Sequence, residues 1–116
     1  MIAVVAPPGE LRDAVVAALG PDVRVAEPGD PAALARTLQG VERMFLACED
    51  PVAAGDVVAA AEMALVYHCV TVHEVPALDG SALRSTVLLA GDAPLPAPDE
   101  LAALAARALR GDPPPP

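Results

Sequence analysis

The chain has 116 residues, 54% of them hydrophobic, with 7 basic and 16 acidic side chains and a formal charge of −9. That length holds one domain and buries roughly two thirds of its unfolded surface, enough for a core without disulfides or metals. All seven basic residues are arginine, which excludes Schiff-base, Walker A and Tyr-x-x-x-Lys reductase chemistry, and the acidic balance disfavours nucleic acid and anionic membrane as partners.

The run 2–6 is short, apolar and partly β-branched, and it stops at Pro7-Pro8-Gly9; this predicts a buried strand and a turn. Leu11, Val15, Ala18 and Leu19 recur at helical spacing as far as Gly20-Pro21, a helix of about three turns. A short strand is expected at 23–26, ahead of Glu27-Pro28-Gly29. Asp30-Pro31 then opens a helix that ends near Gln39-Gly40, because aspartate caps the orphan amides and proline is pre-set for the first turn. The third strand is 43–48, and Asp50-Pro51 repeats the cap before a helix running to about Ala64. The fourth strand, 66–72, is the most β-like stretch, with tyrosine, threonine and three valines. A loop at 76–81 with one helical turn after it leads to a fifth strand at 85–90. A proline-broken loop at 91–98 precedes a strongly helical segment, 99–110, and the residues from 111 to 116 read as an extended tail outside the domain.

Strands alternating with helices imply parallel pairing and helices on both faces. The strands lack polar alternation, as expected of strands covered on both sides. The fold class is therefore α/β: a single doubly wound, Rossmann-like sheet of five strands in the order 2-1-3-4-5. Ligands in such sheets bind beyond the carboxyl ends of the strands, beside the point where the order reverses.

The longest uncharged stretch is eleven residues, 63–73, against the roughly 20 that a membrane span needs. The opening residues carry no basic leader and run into two prolines, so no signal peptide is expected. Cys48 and Cys69 make no disulfide framework and read as reduced thiols in a cytoplasmic protein. The 26 alanines, 14 prolines and single isoleucine suit a high-GC bacterial genome. An alanine-rich core is thin, which predicts a homodimer that packs 99–110 against its mate and buries Leu101, Leu104 and Leu109.

At the predicted strand ends stand Pro7, Pro8, Gly9 and Glu10; Glu27, Pro28 and Gly29; Cys48, Glu49 and Asp50; His73 and Glu74; and Gly91 and Asp92. The rim is acidic and holds one of the two histidines. Helix capping accounts for Asp30 and Asp50. Strand alternation puts Tyr67, Cys69, Thr71 and His73 on one face and His68, Val70 and Val72 on the other. Zinc binding by Cys48, His68, Cys69 and His73 fails on that alternation, since His68 and Cys69 point to opposite faces. Tyr67 and Phe45, the only aromatic residues, read as core or interface packing before they read as a ligand platform.

Val4-Val5-Ala6-Pro7-Pro8-Gly9, then Asp30-Pro31-Ala32-Ala33-Leu34, then Gly40-Val41-Glu42-Arg43-Met44-Phe45-Leu46 and Val66-Tyr67-His68-Cys69-Val70-Thr71-Val72 follow one another in order. Together they resemble the NmrA-like branch of the atypical short-chain dehydrogenases. The resemblance covers roughly residues 2–72 and implies a Rossmann-like fold with an NAD(P) site at the first strand–helix turn. The departures fall on that turn. Pro7 and Pro8 stand where the family has glycines, Leu11 falls near the close-packing glycine, and Glu10 puts negative charge where phosphate would sit. If NAD(P) were bound, Gly9 would match a family glycine, and Glu27 would hold the ribose. His73 lies where the family strand ends in a serine that faces substrate.

Histidine is the side chain whose ordinary pKa, about 6.5, suits proton transfer near neutrality. His73 is thus the expected acid or base, oriented by Glu49 or Glu74, with Cys48, Asp50, Tyr67 and Asp92 as substrate contacts. The function expected is cofactor-independent acid–base chemistry, such as cyclisation, isomerisation or elimination, on a small metabolite. A catalytically silent module that senses a nucleotide or pairs with a protein is the alternative, and a residual NAD(P)-dependent reductase the third reading.

Overall fold

The computed structural model describes residues 1–111. Its strands are β1 (Ile2–Val5), β2 (Val23–Ala26), β3 (Arg43–Leu46), β4 (His68–Thr71) and β5 (Arg84–Val87). They form one all-parallel sheet in the order β2-β1-β3-β4-β5. The helices are α1 (Glu10–Leu19), α2 (Pro31–Thr37), α3 (Pro51–Met63) and α4 (Pro98–Arg110). The expected class and strand order are those observed. Residues 112–116, most of the expected tail, lie outside the described residues.

Side-chain alternation divides the core in two. Ala3, Val5, Met44, Leu46 and Cys69 point toward α2 and α3, where Leu34, Leu38, Val57 and Val58 meet them. Val4, Phe45 and Val70 point the other way, toward Val15 of α1 and Leu101, Ala105 and Leu109 of α4. Each large apolar side chain buried in this way contributes about 1.5–3 kcal/mol. Phe45 is fully buried and belongs to the core, whereas Tyr67 is 58% exposed and donates no packing to it.

β2 spans 23–26 as expected, and the other four strands are shorter than the apolar runs that predict them. Val66 cannot join β4, because its amide donates to Ala61 O and closes the end of α3. At the other ends the ladder continues briefly: Ala6, Ala47 and Leu88 donate to Ala26 O, Val5 O and Thr71 O after the strands proper have stopped. The helical turn near 76–81 falls inside that loop, at Pro76–Leu78, rather than after it.

Caps define the helices as the sequence suggests at two starts. Asp30 accepts from Ala33 N, and Asp50 accepts from Val52 N, both at 3.0 Å. At the carboxyl ends, arginines carry the work. Arg24 donates to Thr37 O and Gln39 O, which ends α2 before Gln39-Gly40. Arg43 donates to Leu109 O of α4, and Arg110 donates to Ala18 O of α1, each at 2.8 Å. Gly111 closes α4 in the left-handed conformation, and a Cβ there would lie 2.9 Å from Arg43 Nη1. Leu101 and Leu109 are each 1% exposed, so the expected dimer through α4 does not have them: they face the chain's own sheet, and of the three only Leu104, at 39%, looks outward.

α3 closes without an arginine. Leu65 N donates to Glu62 O and Val66 N to Ala61 O, a Schellman arrangement whose left-handed position is occupied by Leu65, at φ 62°. That leucine is 86% exposed, so it gains little burial for its strain. Leu65→Gly is expected to stabilise the fold by about 0.5–1 kcal/mol, read as a higher urea midpoint at unchanged slope.

At the amino ends of the strands Arg43, His68 and Arg84 stand in one register row. The His68 imidazole lies 2.7 Å from Thr86 Oγ1, and burial, then the guanidiniums of Arg43 and Arg84, hold its pKa below the ordinary value. The unfolded chain therefore takes up a proton near pH 6.5 that the folded chain resists. The contribution is complete above that pH and is lost as pH falls through the lower folded value. Urea melts of the wild type and His68→Gln should show the variant with a smaller loss of stability between neutral and mildly acid pH.

Candidate functional site

All five strands stop on one row, Val5, Ala26, Leu46, Thr71 and Val87, so the following loops leave the sheet together. Between them, beside the reversal of order at β1 and β3, lies a half-open basin of about 880 Å³. Its floor is apolar: Ala6, Leu46, Ala47 and Val72. That position is where open α/β sheets bind ligands.

Most of the residues expected at the site meet here. His73, Glu49 and Glu74 line the basin, as do Cys48 and Asp50 and, from the first two turns, Gly9 and Glu27. Two do not. Tyr67 precedes β4 and therefore sits at the amino end of the sheet, where Arg84 donates to its hydroxyl at 3.2 Å. Asp92 is exposed and outside the lining; the same loop delivers Leu95 instead. Asp92 is left out because β5 stops at Val87, short of the apolar run to 90, whereas Tyr67 stands at the amino end of the fourth strand whichever bounds are taken.

The turn after β1 is a mixed environment for an anion. Gly9 caps α1 with no side-chain hydrogen bond, so the helix start is open toward the basin. Yet Pro7 and Pro8 carry no amide hydrogens, and the first turn holds Glu10 and Asp13, whose charges complement the helix dipole. Gly9 itself is extended, and a Cβ on it would meet nothing within 4 Å. The fold alone does not require glycine there.

The two thiols are free and unlike. Cys48 is half-buried at the basin and its Sγ donates to Asp50 O at 3.6 Å, a local bond that holds it against the α3 cap. Cys69 is buried under α2 and α3, and burial pushes its pKa up to about 12. His73 and Glu74 are exposed at the mouth. The residues missed by sequence reasoning are Arg12, Leu95 and Thr71. Thr71 had a partial signal, a hydroxyl near the carboxyl end of the fourth strand on the same face as His73, whereas its lack of a partner had none.

With a maleimide reagent under native conditions, Cys48 is expected to react at once and Cys69 only on unfolding. Mass spectrometry of the intact protein should thus show one adduct without denaturant and two with it.

No family model, curated protein or solved structure matches the chain.

Proposed function

We propose that the chain is a small-molecule-binding Rossmann-like domain of NmrA-like descent whose first turn has lost dinucleotide recognition. The observation that carries this reading is the basin itself, with an apolar floor and polar groups from four strand ends converging on it. Pro7, Pro8 and Glu10 argue against pyrophosphate there: losing two hydrogen bonds to a charged group costs about 3–6 kcal/mol, which turns a micromolar site into a millimolar one. Free Cys48 and Cys69 suit a reducing cytoplasm.

Proton transfer by His73 is the second reading. It is favoured by one observation, that His73 lines the same basin as Glu49 and Glu74. An exposed imidazole is not yet held for catalysis, so a bound ligand would have to complete its orientation.

Calorimetry with NADH and NADPH tests the first reading, with no saturable binding expected. A Kd below about 50 µM for either, weakened by Gly9→Val, would return the site to nucleotide recognition. Once a ligand is found, His73→Gln should leave its affinity within about twofold and abolish turnover if His73 moves the proton.

A further inference from the structure

We infer that the basin takes a cationic small molecule, an amine with an apolar body, and reads one polar group of it through the Thr71 hydroxyl. The inference rests on the small-molecule reading above and assigns that ligand its charge and its anchor.

The anchor comes from Thr71. It is the last residue of β4, 1% exposed, and lines the basin. Its register neighbours are Leu46 and Val87, both apolar. Its Oγ1 has no hydrogen-bond partner among the described residues. Buried polar groups are nearly always bonded, and a valine would fill the same volume without that deficit. The fold therefore leaves this hydroxyl unexplained, whereas a ligand reaching the floor of the basin would supply the missing partner. A threonine hydroxyl both donates and accepts, so a hydroxyl, phenol or carbonyl on the ligand would serve.

The charge comes from the walls. Glu10, Glu27, Glu49, Asp50 and Glu74 line the basin, against Arg12 and His73. Five carboxylates and one guanidinium make a strongly negative mouth around an apolar floor, and such clefts concentrate cations and repel anions. The helix starts do not reverse this. Asp50 already occupies the Val52 amide of α3, and Glu10 and Asp13 offset the open start of α1. All five carboxylates are exposed, so their pull on a ligand is screened by salt.

Three probes separate anchor from charge: tyramine, phenethylamine, which lacks the phenol, and 3-(4-hydroxyphenyl)propionate, which reverses the charge. Each is titrated into the full chain at low and high salt and followed by NMR shifts of the residues at the strand ends. Tyramine is expected to bind about tenfold tighter than phenethylamine, to lose that advantage in Thr71→Val, and to weaken with salt. The propionate is expected to bind at least about tenfold more weakly than tyramine. Thr71→Val should fold with a Tm no lower than the wild type, since it removes an unbonded buried hydroxyl, and Glu27→Gln with Glu74→Gln should weaken both amines without touching the phenol's advantage. Propionate binding as tightly as tyramine overturns the charge inference while leaving small-molecule binding intact. An unchanged tyramine advantage in Thr71→Val overturns the anchor. Absence of shifts with all three probes overturns this inference, and shifts with neutral metabolites alone would show that the small-molecule reading survives it.

Discussion

Strict register across five short parallel strands is the constraint on which everything else depends. Every strand starts on one row and stops on another, so the carboxyl-end loops emerge together and enclose a basin between them. The same register decides the core. A slip of one residue in β3 would turn Phe45 and Met44 to the wrong layers and expose the apolar face that α1 and α4 cover. Short strands make this unforgiving, because few ladder bonds hold each one and burial on both faces has to supply the rest.

At the basin, two effects oppose each other. Helix starts that point at the strand ends attract negative charge, yet the side chains that surround them are carboxylates. Asp50 resolves the conflict locally by bonding the α3 amide. Around α1 the prolines remove donors and Glu10 supplies the negative charge that a phosphate would otherwise bring. What remains is an apolar floor with an acidic mouth, a different chemical invitation from that of a dinucleotide site.

The strand order, the parallel pairing and the caps at Asp30 and Asp50 were legible because each has a local cause: alternating element types, unbroken apolar strands, and an aspartate–proline pair at a helix start. Glu49, Asp50, His73 and Glu74 were placed correctly at the strand ends for the same reason. The misplacements have other causes. Alternation puts Tyr67 on one face with Thr71 and His73, but a face runs the length of the sheet and Tyr67 stands at its amino end, far from the basin. Leu101 and Leu109 look like a free apolar stripe, and only the position of α4 over Phe45 and Val70 shows them to be core. Leu65 in a glycine's position has no sequence signature, and neither does an unbonded hydroxyl at Thr71, since both are defined by what surrounds them.

The tethers at the ends of α1 and α4 join residues far apart in sequence: Arg110 to Ala18, and Arg43 to Leu109. One face of the sheet is therefore closed only when α4 docks on it. The helices α2 and α3 can settle on their layer without it, but Val4, Phe45 and Val70 are covered only in part, by α1, until α4 docks. Closure of this fold thus depends on contacts distant in sequence, and a chain cut before residue 98 would leave part of an apolar sheet face open to other chains.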